Sequence, residues 1–147
     1  MINICFCTKE DSTYDYWSCI INSWKIETVF HIDLRPPDAP TIRNKFLNCQ
    51  EVLNAEALPA DIPLVLLTPQ TGINFKGLTS LETFEHPPHA TYMFGWNSGA
   101  IGTHEIGSRI PDYKIYIPAT LELHAHVCAA ITLYDRAVKD TRQKNKS

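Results

Sequence analysis

The sequence predicts an α/β domain, a mostly parallel sheet flanked by helices, and three observations carry that prediction. Short apolar runs rich in β-formers alternate with segments of helical periodicity, the pattern of strands joined by helical crossovers. One run, Pro63-Leu-Val-Leu-Leu-Thr68, is apolar throughout, as a central parallel strand covered on both faces should be. The last third holds two strand-like runs ending in glycine- and proline-containing loops, followed by a long helical segment. In such sheets ligands bind beyond the carboxyl ends of the strands.

The elements follow in order. Ile2-Asn-Ile-Cys-Phe-Cys7 reads as a buried strand. Ser12 is placed to cap the next segment. Between Tyr14 and Ile26, the residues Tyr16, Trp17, Ile20, Ile21 and Trp24 recur at three- and four-residue spacings, which predicts a helix with one apolar face. Thr28 to Leu34 returns to β character, and Arg35-Pro-Pro-Asp-Ala-Pro40 must turn. Thr41 caps an expected helix from Ile42 to about Leu58, with Phe46, Leu47, Val52 and Leu53 on its apolar side. After the Pro63–Thr68 strand, Pro69 to Lys76 is loop. Thr79 or Ser80 caps a short helix containing Leu81 and Phe84, which His86-Pro-Pro-His89 stops. His86 and His89 read as surface residues. Ala90 to Phe94 is the next strand, Asp112 to Ala119 a further one ending in Pro118, and Leu121 to Lys139 a helix. No internal repeat is visible. A single domain is expected over 1–139, with 140–147 a polar basic tail.

The length of 147 residues suits one compact domain. With 13 Lys and Arg against 16 Asp and Glu there is no global basic excess, so a nucleic-acid contact needs a local patch or a paired subunit. No stretch is apolar for long enough to cross a bilayer, and the N-terminus lacks the layout of a signal peptide. Cys5, Cys7, Cys19, Cys49 and Cys128 are odd in number and scattered, which is no disulfide framework and points to a reducing, cytoplasmic setting. Phosphate-loop, dinucleotide-fold and nucleophile-elbow signatures are missing.

The glycine-rich loop after Phe94 reads either as a tight turn or, taken with Ile117-Pro118 and the following helix, as the wall of a ligand pocket. Glu122, His124, His126 and Cys128 cluster in sequence. On a helix 124 and 128 share a face while 126 points elsewhere, so they are not expected to form a metal site. Arg109 reads either as a phosphate-holding group or as a solvated loop arginine. Arg35, Arg43 and Lys45, around the proline-rich loop, fit an RNA backbone contact or simple helix-surface charge.

The stretch from Tyr92 to Tyr134 resembles the SpoU (TrmH) branch of the SPOUT superfamily, the knotted RNA methyltransferases. Phe94-Gly95-Trp96-Asn97-Ser98-Gly99 is similar to that branch's strand ending in Phe-Gly and its glycine loop. Ile115-Tyr116-Ile117-Pro118 matches its Ile-Pro strand end. Glu122-Leu123-His124 stands where the branch has Ser-Leu-Asn, and Val127-Cys-Ala-Ala-Ile131 with Leu133-Tyr134 follows as its last helix does. The resemblance implies a C-terminal trefoil knot, a homodimer, an RNA substrate and S-adenosylmethionine held by loop backbone. It implies that Thr68, Gly95, Trp96, Asn97, Gly99, Ile117, Pro118 and Leu123 frame the cofactor, with His124, Glu122 and Arg109 as polar groups near the methyl. The departures lie in the polar chemistry. Thr13 and Cys19 stand where the branch's first motif has Asn and a catalytic Arg, and Asn97 replaces the acidic residue of the glycine loop. Two functions are thus expected alternatives: an S-adenosylmethionine-dependent RNA methyltransferase, or a catalytically degenerate dimeric module that binds RNA or a ligand. An unrelated α/β domain binding some other nucleotide is a third.

Overall fold

The computed structural model describes residues 1–9, 14–39, 49–68, 77–95, 101–119 and 123–145. Its strands are β1 (Ile2–Thr8), β2 (Thr28–Asp33), β3 (Cys49–Glu51), β4 (Leu64–Leu67), β5 (Leu78–Ser80), β6 (Ala90–Met93) and β7 (Tyr113–Tyr116). The helices are α1 (Tyr14–Ser23), the single turn α2 (Thr103–Ile106) and α3 (Ala125–Asn145). The strands form one seven-stranded sheet in the order β3-β2-β1-β6-β4-β7-β5. Every pairing in it is parallel. The α/β expectation holds.

The period-two alternation of strand side chains divides the core. Ile4, Phe6, Val29, Val65, Tyr92, Phe94 and Ile115 point to the face covered by α1 and α3, where Trp17, Ile20, Ala129 and Leu133 meet them. Phe6 stacks on Trp17 with ring centroids 4.7 Å apart. Cys5, Cys7, Phe30, Ile32, Leu64 and Met93 point to the other face, against Ala55, Leu58 and Ile106. Each fully buried large side chain contributes about 1.5–3 kcal/mol from its removal from water. The five cysteines are free thiols, as expected.

Several elements differ from the sequence reading. The helix expected from Ile42 to Leu58 is replaced, over its described half, by β3 and a 3₁₀ turn at Ala55–Ala57. Asn54 ends any helical continuation there, because its side chain accepts the Glu56 amide at 2.9 Å and caps the new turn. Leu53, assigned to an apolar face, is 80% exposed. The short helix expected at Leu81 and Phe84 is a 3₁₀ turn over Leu81–Thr83, capped by Ser80, with Phe84 beyond its end. β5, which precedes it, was not expected as a strand. The first helix stops at Ser23, whose hydroxyl donates to the Cys19 carbonyl at 2.7 Å. The last helix begins at Ala125 and runs to Asn145, past the Lys139 boundary read from sequence. The proposed caps Ser12 and Thr41 lie outside the described residues.

His86 is not a surface residue. Its side chain is 2% exposed, with one ring nitrogen 2.7 Å from Tyr92 Oη and the other 2.8 Å from Asp135 Oδ2. Burial lowers its pKa, opposed by the Asp135 hydrogen bond. Arg136 donates to Tyr92 Oη (2.8 Å), the Pro87 carbonyl (2.7 Å) and the Pro88 carbonyl (2.8 Å). Lys139 reaches the carbonyls of Leu81 and Phe84 and pairs with Asp135 at 2.8 Å. These groups bolt α3 to the segment that enters β6.

Candidate functional site

Parallel pairing places every strand's carboxyl end on one rim of the sheet. β4 lies between β6 and β7, with Leu66 opposite both Met93 and Lys114. The chain leaving β6 at Phe94-Gly95 and the chain leaving β7 at Ile117-Pro118 thus emerge on either side of Thr68, two strand spacings apart, or roughly 10 Å. Hydrogen bonds fix these exits: the Phe94 amide donates to the Cys5 carbonyl at 2.9 Å, and the Thr68 amide to the Ile115 carbonyl at 3.0 Å. Gly95 is buried, Thr68, Ile117 and Leu123 are half-buried, and Pro118 is exposed. Phe94 holds the first exit down by packing on Trp17, ring centroids 5.7 Å apart.

Leu123 and His124 come next to α3. The His124 carbonyl accepts the Cys128 amide at 3.0 Å, the first bond of that helix. The His124 ring is exposed and stacks over His126 at 5.8 Å, which in turn stacks on Tyr16 of α1 at 4.6 Å and 9°. Burial, and then the His124 ring beside it, lower the His126 pKa, so the middle ring of this ladder is neutral near pH 7. Sequence reading missed the ladder, because Tyr16 lies far from 124 in the chain and was counted on an apolar helix face. It is in fact 55% exposed.

Thr68, Gly95, Ile117, Pro118, Leu123 and His124 therefore share the carboxyl rim. Trp96, Asn97, Gly99, Glu122, Arg43 and Lys45 lie outside the described residues. Two other candidates are placed differently from their expectation. Arg109 precedes β7 and sits at the opposite, amino rim, where its guanidinium donates to the carbonyls of Leu58 (3.1 Å), Pro59 (3.2 Å) and Ile62 (3.3 Å). It clamps the approach to β4 and does not face the carboxyl rim of its own chain. Arg35 is 9% exposed and grips Asp33 through its backbone amide (2.9 Å), Nε (3.0 Å) and a terminal nitrogen (2.9 Å). Its guanidinium also lies 5.1 Å from the Tyr14 ring centroid. Burial works to raise the Asp33 pKa, but the Arg35 bonds and charge outweigh it and hold the carboxyl below the usual range, and the same bonds hold the Arg35 guanidinium against its own chain.

No family model matches the sequence, and no curated protein matches it. Solved structures do match the coordinates. The SpoU methyltransferase AviRb from Streptomyces viridochromogenes superposes with a TM-score of 0.71 at 12% identity, over 97% of this chain and 61% of that one. The fold is that of the SpoU and TrmH methyltransferases. The A. aeolicus TrmH/SpoU tRNA modifying enzyme matches at TM-score 0.69 and 12% identity, over 97% of this chain and 77% of that one. An AdoMet-bound rRNA methyltransferase from Sinorhizobium meliloti matches at 0.68 and 9%, over 92% and 55%. The present chain thus spans 55–77% of these SpoU-fold structures. No helix among the described residues is long and apolar enough to cross a membrane.

Proposed function

We propose that this chain binds S-adenosylmethionine at the carboxyl rim of β6, β4 and β7 and transfers a methyl group to RNA. The observation that supports this most is the register across β4, which sets the Gly95 and Ile117-Pro118 exits on either side of Thr68 in a SpoU fold. The rim suits a nucleoside: a buried glycine that lets backbone approach closely, half-buried Ile117 and Leu123 for an apolar ring face, and main-chain groups leaving the sheet. By the resemblance alone, Trp96, Asn97 and Gly99 belong to the same proposal.

S-adenosylmethionine supplies an activated methyl group. The chain's own part is to hold the acceptor in line with it, an orientation effect. His124, exposed beside the rim and steadied by the neutral His126, is the group placed to accept a proton from the acceptor, and Glu122 is its neighbour in that role. An acceptor that is already nucleophilic, such as a base nitrogen, asks least of these residues. The homodimer belongs to the same proposal. Val127, Ile131 and Tyr134 form a stripe along α3 at 37%, 36% and 66% exposure, an apolar face suited to a second copy. So do the trefoil knot and a cytoplasmic setting, the latter consistent with five free thiols.

The second reading, a binding module without transferase activity, draws on the arginines. Cys19 stands exposed on α1 where the resemblance puts the catalytic Arg, and both Arg35 and Arg109 are engaged by their own chain. Calorimetry with S-adenosylmethionine, coupled to methyl transfer onto bulk RNA, separates the readings. Saturable micromolar binding with transfer supports the enzyme. Binding without transfer supports the module, and no binding at millimolar ligand overturns the pocket assignment.

A further inference from the structure

At the same rim, but on the outer strands, β2 and β3 bring together three potential ligands. His31 pairs directly across from Glu51, and Asp33 lies two residues on, so all three side chains share a face. A ring nitrogen of His31 and carboxylate oxygens of Asp33 and Glu51 lie within 4.8 Å of one another. The His31 side chain is fully buried. Its Nε2 is taken by Thr8 Oγ1 at 2.7 Å, and that hydroxyl is held in turn by Tyr14 Oη at 3.0 Å. Its Nδ1 is buried and has no hydrogen-bond partner among the described residues. A buried polar nitrogen left in that state needs an explanation. With Nε2 held by Thr8, Nδ1 is the ring nitrogen left to a ligand, the way a hydrogen bond at one imidazole nitrogen directs a metal to the other.

We propose that His31 Nδ1, Asp33 and Glu51 hold a divalent transition-metal ion of the zinc class, with the remaining coordination positions open to solvent. Nitrogen and carboxylate donors suit zinc, whose ligand atoms stand about 3.4 Å apart in tetrahedral sites. Asp33 is held in place by Arg35, so a shift of the Glu51 carboxylate toward His31 and Asp33 is what would close the set from its present spread. The two carboxylates supply hard oxygen donors beside the imidazole nitrogen, and Asp33 is also paired with Arg35. Asp33 already accepts three bonds from Arg35, and Glu51 has a contact of its own, but a carboxylate offers about four lone-pair sites.

The test uses the full chain, stripped with a chelator and titrated with Zn²⁺ by calorimetry and with Co²⁺ by absorption. One Zn²⁺ per chain is expected, weakened at least tenfold by Glu51→Gln, a change at an exposed edge position. Co²⁺ should give visible d–d bands without a thiolate charge-transfer band, and should shift the ring-proton resonances of His31 in the unaltered chain. The proposal is overturned if no stoichiometric ion binds or if a thiolate band assigns the metal to cysteine. It is equally overturned if His124→Gln, and not Glu51→Gln, abolishes binding, or if the His31 resonances stay in place.

Discussion

Replacing Arg136 tests how the last helix is held against the sheet. Arg136 is 6% exposed and donates to Tyr92 Oη, in the core, and to the two carbonyls before β6. Arg136→Met keeps the aliphatic stem but removes all three donors. Each carbonyl loses a bond worth roughly 0.5–1.5 kcal/mol net, the ordinary hydrogen-bond value because water can take the donor's place there, and the hydroxyl loses about 1 kcal/mol more, since His86 remains beside it. The sum is about 3 kcal/mol, or roughly 6–12 °C in melting temperature for a chain of this size. Arg136→Lys should recover only part of this, because one ammonium cannot reproduce a planar fork serving three acceptors. Urea unfolding followed by far-ultraviolet circular dichroism measures the loss, with exposed Arg142→Ala as a control expected to stay within about 0.5 kcal/mol. A loss below about 1 kcal/mol for Arg136→Met would refute the assignment of these bonds as the anchor.

Stability should fall as pH drops from about 6.5 to about 4. The unfolded chain then takes up a proton that the folded His31 site refuses, so the slope favours unfolding by about 3 kcal/mol in total. The downward shifts of His86 and His126 act in the same sense. His31→Gln should flatten that acid limb, and an unchanged slope in urea titrations across this range would count against it. Thiol labelling read by mass spectrometry should mark exposed Cys19 first. Cys5 and Cys7, whose pKa values burial pushes up, Cys7 to about 12, should react only on unfolding. Gly95→Val should abolish S-adenosylmethionine binding with the sheet intact by circular dichroism; undiminished affinity would remove the proposed pocket. His124→Ala should lower methyl transfer more than melting temperature, and the reverse order would make that ring structural.

The central strands were legible because parallel strands buried on both faces leave a local imprint. Pro63–Thr68 and Ala90–Phe94 are apolar almost without interruption, and the Phe-Gly and Ile-Pro exits name their own ends. The short edge strands left no such imprint. Cys49-Gln50-Glu51 and Leu78-Thr79-Ser80 are held by backbone pairing to β2 and β7, which no three-residue window encodes. The polar placements were least legible. Arg109, Arg136 and Lys139 each end on carbonyls some 45–60 residues away in the chain, contacts that no local pattern announces. His31 and Glu51 become neighbours only through strand register, and Tyr16 meets His126 only because α1 and α3 share a sheet face.

The strand order has a cost in time. β1 needs β6 at its side, a partner nearly ninety positions later. β4 remains without either neighbour until β6 and β7 arrive. Closing such long loops before any reward is gained slows folding. On a ribosome, the emerging N-terminal half therefore exposes apolar edges with nothing yet to cover them. The sheet can close only after Tyr116 has left the exit tunnel, and until then the nascent chain depends on whatever shields those edges from other chains.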